Sequence, residues 1–317
     1  MPAEPSQILL QKHLTLAETH RAHFRYEKAL QLLDDALHMP NLSPADSNSI
    51  HLRQLAYKIE AAWLYNRLDA EFAALHSQLK VIHADALAHH QRPQVADALF
   101  LTARLHHFNL FEAKSPDLDG IEKRWIEAYS CYHDLDDSRG MAESLFYHGL
   151  LYQRFRADHE AAYGCFHRAR NLIEYQPYPI ELAEILRHTG YVYHQRGDLI
   201  AAHACHEQAV AYLNHSGFRV YLPLALYALG MVLMEQGRLD EAGPHFEHGL
   251  AVAEEAPPNI LHIGALLGLG DFHAKTGDLA LARDTYQKAQ TIADALNATR
   301  SLKMTADKLA ALPQTSV

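Results

Sequence analysis

The sequence predicts an all-α chain, a solenoid of about seven antiparallel helical hairpins. Three observations predict it. Columns of small and aromatic residues return every 40 residues, residues within one unit are spaced by threes and fours, and glycines, aspartates and prolines stand where such helices should stop and start. A repeat of this length marks architectures in which each unit packs only on its neighbours.

Gly190, Gly230 and Gly270 are 40 apart, and Gly149 opens the series. Ala162, Ala202, Ala242 and Ala282 form a second column. Phe166, His206, Phe246 and Tyr286 form a third, and Ala169, Ala209, Gly249 and Ala289 a fourth. Residues 202, 206 and 209 fall on one helix face, because steps of four and three return to the same side of a helix. Small residues suit the close approach of two helices in a hairpin, and the aromatic column supplies a plug between hairpins. Gly197, Gly237 and Gly277 stand where a left-handed cap would end each first helix. Asp198, Asp240 and Asp278 lie at or near the next helix start, where an acid complements the exposed amides. Pro93, Pro177, Pro179, Pro223, Pro257 and Pro258 fall between units, where proline stops helices.

The series Gly190, Tyr193, Gly197, Ala202, His206, Ala209 resembles the tetratricopeptide repeat. Gly230, Gly237, Ala242, Phe246 and Leu250 follow the same pattern, as do Gly270, Gly277, Ala282, Tyr286 and Ala289. Phe24 to Ala29, with Leu33 and Ala36, is similar to a second-helix half. The period here is 40 residues against about 34 in the standard repeat, so each helix gains almost a turn. This resembles the long-helix variants of bacterial sensor and regulator domains. HEAT and armadillo repeats share the longer period but lack these columns.

The elements follow in order. One solenoid is expected across 1–317, with irregular hairpins over 4–137, four regular repeats over 138–297, a capping helix over 298–312 and a tail at 313–317. Within the irregular part, helices are expected near 46–66 and 68–90, then near 94–110 and 120–136. The stretch 113–120 reads as a turn, since Asp117 and Asp119 lack the remaining ligands of a calcium loop.

Composition narrows the function. A formal net charge of −10 makes the chain a poor phosphate binder, because nucleic-acid affinity comes mainly from lysine and arginine. The densest basic cluster, Arg154, Arg156, Arg168 and Arg170, is interrupted by Asp158 and Glu160. No apolar run approaches a membrane span, and the start lacks the basic and apolar regions of a secretory leader. Cys131, Cys165 and Cys205 are odd in number and widely spaced, unlike a disulfide framework. A reduced, cytoplasmic protein is expected, with no nucleic-acid or membrane partner.

Histidine is unusually abundant, 24 residues beside 28 lysines and arginines. A habit of helix surfaces, a pH response and metal binding all remain open. His203 and His206 flank Cys205, but His206 occupies the plug column. Cys165, Cys205 and His245 share one repeat position on helices expected roughly 8–10 Å apart, too far for one tetrahedral ion. No metal site and no cofactor are expected. No HExxH, GxSxG, phosphate-loop or dinucleotide motif is present.

The resemblance implies a right-handed superhelix whose first helices line a concave groove. Carried over by position, the groove residues are Glu143, Phe146, Leu150, Gln153 and Arg154, then Glu184, Arg187, Tyr191, His194 and Gln195. Next come Leu224, Tyr227, Met231, Met234 and Glu235, then Gly264, Leu267, Asp271, Ala274 and Lys275. The centre, Arg187, Tyr191, His194, Tyr227, Met231 and Met234, mixes soft apolar area with arginine, residue types enriched at binding hot spots. The expected function is a non-catalytic protein- or peptide-binding module. Its partner would be a protein or peptide segment, carboxylate-bearing or anionic, with room left for a homodimer. The alternatives are a small-molecule or signal-peptide sensor, and an enzyme using groove histidines such as His107 and His194.

Overall fold

The computed structural model describes residues 5–110 and 116–313. The expectations for residues 1–4, 113–115 and 314–317 lie outside the described residues. Every regular element among the described residues is helical. Contacts divide the chain into two compact units, one running to residue 185 without 64–66, the other from 186 onward with 64–66. Each unit is a stack of helical hairpins.

The first unit contains α1 (Pro5–Ala22), α2 (Tyr26–Leu37), α3 (Pro44–Leu64), α4 (Leu68–Ala88), α5 (Arg92–Asn109), α6 (Leu118–His133), α7 (Ser138–Leu151) and α8 (His159–Ile173). α9 (Pro179–Gln195) begins in it and ends in the second unit. The second unit continues with α10 (Leu199–Ser216), α11 (Leu222–Glu235), α12 (Leu239–Ala253), α13 (Ile260–Thr276), α14 (Leu279–Ala295) and α15 (Thr299–Ala311). Odd-numbered helices are the first members of hairpins. The helices expected near 46–66, 68–90, 94–110, 120–136 and 298–312 are all present, each shifted by at most three residues.

The four columns are the core. Ala162, Ala202, Ala242 and Ala282 are fully buried. A Cβ placed on Gly149 would lie 2.5 Å from Phe166, on Gly190 2.5 Å from His206 and on Gly230 2.8 Å from Phe246, and Gly270 is pressed likewise by Tyr286. So the plug does more than fill the space between hairpins, because it presses on the glycine of its own first helix. Phe246 also reaches Gly268 of the following hairpin, which joins one repeat to the next.

Helix ends follow local chemistry. Gly197, Gly237 and Gly277 have φ of 77°, 77° and 91°, the left-handed region that glycine enters without a Cβ clash. Asp198 and Asp278 are N-caps, accepting from Ala201 N at 3.0 Å and Leu281 N at 3.2 Å. Asp240 does not cap; it lies inside the first turn of α12, and the N-cap position is held by Arg238 without a side-chain bond. Asp117 caps α6 through Gly120 N at 2.9 Å, so the described part of the 113–120 stretch is a helix start.

The first regular repeat departs from the others by one residue. Gly149 to Ala162 is thirteen positions, whereas Gly190 to Ala202 is twelve. The extra residue is absorbed as a π-helical turn, Tyr152–Arg156, at the end of α7, the usual way a helix takes a single insertion. The turn ends on Ala157 at φ 52°, a left-handed position that the other repeats give to glycine.

At the far end, α15 packs on α14 and closes the stack. Lys308 Nζ binds both carboxylate oxygens of Asp271, at 2.7 and 2.8 Å, and the Tyr286 hydroxyl donates to the same carboxylate at 2.6 Å.

Candidate functional site

In the second unit, the residues expected at the groove centre lie on α9 and α11. His194 Nε2 meets Glu235 Oε2 at 2.8 Å. That contact joins the C-terminal end of α9 to that of α11, and Tyr191 lies close enough to Tyr227 to act on its phenol. Tyr191, Tyr227 and Met231 are half-buried, and Glu235 is exposed. These residues also pack. The Tyr191 ring meets His206 edge-on at 5.2 Å, and the Arg187 guanidinium lies 5.9 Å from the Tyr191 centroid. Tyr227 covers Gly268 and meets Phe246 at 6.1 Å. Met234 is buried and Met231 lies against the same cluster of Leu229, Leu233, Ala242 and Phe246. Arg187 is only 4% exposed, so its guanidinium is mostly withdrawn from solvent.

Electrostatics follow from burial. The Tyr227 phenol is pushed above its usual range by burial, then by neighbouring Tyr191 and Asp271. His206 is driven down to about 3 by burial and by Arg187, His194 and His203. It is a neutral plug with no hydrogen bond to either ring nitrogen.

The first-unit positions behave differently. Phe146 and Leu150 are buried, and Phe146 packs on Tyr147 and Phe166 at 5.3 and 5.9 Å. They are packing residues more than groove lining. Gln153 is half-buried and Arg154 exposed, both on the π turn. Counting back from the left-handed residue that ends each first helix, Arg154 aligns with His194, so the insertion shifts the register used to place Gln153 and Arg154. Of the outer groove positions, Asp271 is engaged by Lys308 and Gly264 faces open space.

Sequence reasoning missed a polar cluster on the first helices of the first unit. Glu60 is fully buried, accepting from Arg21 at 2.6 and 2.9 Å and from the Tyr26 hydroxyl at 3.0 Å. Arg104 approaches it at 3.6 Å. Glu18 takes the Tyr57 hydroxyl and Arg21, each at 2.6 Å. The signal was a charge inside an apolar helical run, as in Ile59-Glu60-Ala61-Ala62 and Ala103-Arg104-Leu105, since a buried charge needs a partner.

Behind this cluster His107 is 1% exposed with neither ring nitrogen bonded. It is caged by Trp125, Tyr147 and Phe155 at 6.0, 5.6 and 5.8 Å; the π turn supplies Phe155. Burial, then Arg154, lowers it to about 3. Among the described residues no three His, Cys, Asp or Glu side chains are grouped to hold a metal ion. The three thiols are free, and burial pushes Cys165 up to about 11.

Residues 221–295 match the tetratricopeptide-repeat family. That stretch is a tetratricopeptide-repeat segment. The fold agrees with solved repeat proteins. A Cut9 chain from an APC/C hetero-tetramer, Cut9–Hcn1, aligns at TM-score 0.64 and 14% identity over 95% of this chain and 50% of that one. The chain thus spans half the length of that protein. BtubC from P. vanneervenii aligns at 0.56 and 18% identity, over 73% and 92% of the two chains. A Rap protein complexed with Competence and Sporulation Factor aligns at 0.54 and 14%, over 97% and 98%. At these identities the likeness shows the fold. Among curated proteins nothing matches the chain. Tetratricopeptide-like folds generally mediate protein–protein interaction, and among the described residues no helix is long and apolar enough to cross a membrane.

Proposed function

We propose that the chain is a non-catalytic module that holds a peptide or protein segment against the first-helix face of its second unit. The site is centred on Arg187, Tyr191, His194, Tyr227, Met231 and Met234, with Glu235 at its edge. One observation supports this reading: the His194–Glu235 contact at 2.8 Å ties α9 to α11, the two helices whose half-buried Tyr191, Tyr227 and Met231 offer adaptable apolar surface beside charge. Such surfaces bind through a few aromatic and methionine anchors. A carboxylate-bearing partner would have to draw the Arg187 side chain, 4% exposed in this fold, out to meet it, and its apolar body would lie on Tyr227 and Met231.

Catalysis is the weaker reading on physical grounds. His107 is enclosed by aromatic rings and held neutral, which removes one of the two histidines that reading would use. A sensor is the second reading. It is supported by the Rap likeness, which runs the length of both chains and whose counterpart is complexed with a factor.

The test is a photo-crosslinking amino acid at position 231, with position 248 on the second-helix face as control, followed by calorimetry with the recovered partner. Capture from 231 and not from 248 is expected. Arg187→Ala should weaken binding by about 1.5–3 kcal/mol, the scale of a charge-assisted hydrogen bond, and Tyr227→Ala should weaken it too. Equal capture from both positions, or unchanged affinity in both variants with the fold intact, overturns the proposal.

A further inference from the structure

The net charge of −10 is not spread evenly, and one cluster of the first unit gathers positive charge. The rings of Phe72 and His76 on α4 and of His106 on α5 form a triangle. Phe72 lies 5.7 Å from His76 and 5.1 Å from His106, and the two imidazoles meet at 4.9 Å and 88°. Lys80 follows His76 by four residues, the step that returns to one helix face. α6 also packs on α5 and brings Arg124. The charges acting on His76 are Lys80 and Arg124, and those acting on His106 are Arg124, His76 and Lys80. Other histidines meet a carboxylate: Glu122 acts on His148, Glu241 and Glu207 on His245, and Glu254 on His262.

The carboxylates of α4, α5 and α6 do not offset this charge. Glu71 pairs with Arg67 at 3.3 Å, Asp85 accepts from Asn48 at 2.7 Å and Asp97 accepts from Tyr132 at 2.8 Å. Asp119 and Glu122 both take Arg156, and Glu122 also takes the Tyr152 hydroxyl. Asp69 and Glu127 are exposed and are not among the charges acting on either ring. Lys80 and Arg124 are exposed, whereas Phe72, His76 and His106 are half-buried. His106 Nε2 is buried and meets no hydrogen-bond partner among the described residues. The cluster therefore has a cationic side open to solvent and an imidazole floor.

We propose that His76, Lys80, His106 and Arg124 form a binding site for a phosphate group. Arg124 would present its planar fork to two phosphate oxygens, Lys80 a point charge, and His76 a ring N–H, with His106 behind them. A carboxylate would bring one charge on two oxygens, whereas a phosphate group brings nearly two charges and three acceptor oxygens. A metal ion fits worse, since two imidazoles are too few ligands and both cations oppose it. The acidic chain is a poor phosphate binder as a whole, and this cluster is a local exception. The site is separate from the second-unit groove and does not rest on that reading.

Protonation agrees with this assignment. Burial, then Arg124, His76 and Lys80, lowers His106 to about 4. Burial, then Lys80 and Arg124, holds His76 below its usual range. A bound dianion opposes the share of those shifts that comes from the cations, so binding raises both groups and takes up protons. Affinity for a fully ionised dianion should therefore rise as pH falls below neutrality.

The experiment follows the histidine ring signals of the full chain by NMR. Sulfate, inorganic phosphate, acetate and a blocked phosphoserine tripeptide are added in separate titrations at constant ionic strength. Sulfate stays a dianion at every pH used, so it reports the protein's own titration. Sulfate and phosphate should shift His76 and His106 to saturation, and acetate should not. Saturating sulfate should raise the His76 midpoint by roughly one pH unit. Lys80→Gln and Arg124→Gln, both at exposed positions, should each weaken sulfate binding roughly tenfold, the scale of a charge-assisted hydrogen bond. Lys288→Gln, which removes an exposed cation of the second unit, should leave it unchanged. Tighter binding of the phosphoserine peptide than of phosphate would point to a phosphorylated partner segment, and equal binding to a free phosphate. Shifts that do not saturate and appear equally at exposed His248 would mark a diffuse ion atmosphere and overturn the site. So would acetate binding as tightly as sulfate, or unchanged sulfate affinity in the double variant Lys80→Gln, Arg124→Gln.

Discussion

The two units use one hairpin plan and fill it differently. In the second unit the space between helices is taken by small and aromatic columns, with Phe246 pressing on Gly230 and Gly268. In the first, much of the same space holds the Arg21–Glu60–Arg104 cluster and the cage around His107. Apolar columns tolerate a change of residue if volume is kept. An ion cluster tolerates it poorly, because each partner removed strands another. The difference teaches that a repeat can keep its backbone while its interior chemistry changes from packing to pairing.

The largest effect should come from the cluster. Glu60→Gln leaves Arg21 and Arg104 facing a neutral group in a buried place, and should cost about 3–5 kcal/mol. Urea unfolding of this variant should show a loss larger than that of any single apolar change in the second unit. A loss below 1 kcal/mol would mean the cluster is hydrated and the contrast between the units is false.

Acid sharpens the comparison next. His107 and His206 titrate near about 3 in the fold against an ordinary 6.5. The unfolded chain therefore takes up protons first as pH falls. Stability from this source is whole above pH 6.5 and drains as pH drops toward 3, by up to about 1.4 kcal/mol per pH unit for each histidine. His206→Phe restores the residue that Phe166 and Phe246 supply in the same column, and should flatten the acid limb of thermal melts between pH 6.5 and 4.5. An unchanged limb would show that His206 takes up its proton without opening the fold.

Ala242→Leu tests the small column. Ala242 is fully buried, and overpacking such a site should cost about 1–3 kcal/mol, read as a lower denaturation midpoint. The smallest effect has the opposite sign. Ala157 holds a left-handed φ of 52°, and Ala157→Gly should raise stability by about 0.5–1 kcal/mol. The same measurement on Gly197→Ala should show a loss.

The four regular repeats, three of them in the second unit, were legible because each column places one residue type at one contact and the register repeats the message. The π turn was legible in principle, as thirteen positions where twelve are usual between Gly149 and Ala162. Only the structure shows that the extra residue goes into the helix. The first-unit cluster was not legible as a pattern. Arg21 and Glu60 meet once, 39 residues apart, and a single pairing leaves no periodic trace. Of the residues expected at the groove centre, Tyr191 sits on α9 and Tyr227 and Met231 on α11. Their second duty, packing on His206, Gly268 and Phe246, depends on helix contacts that residue type does not encode.

The central claim is that the 40-residue register dictates which small residues are pressed and which are free. Paired glycine-to-alanine substitutions test it most directly. A Cβ on Gly230 would meet Phe246 at 2.8 Å, while Gly264, also helical and in the same unit, has nothing within 4 Å. Gly230→Ala should lower unfolding free energy by on the order of 1–3 kcal/mol. Gly264→Ala should raise it by roughly 0.5–1 kcal/mol, the gain of alanine over glycine inside a helix. The first unit offers the same pair in Gly149, pressed by Phe166, and Gly164, which is open. Opposite signs within each pair are the predicted result; the same sign for Gly230→Ala and Gly264→Ala would contradict the register.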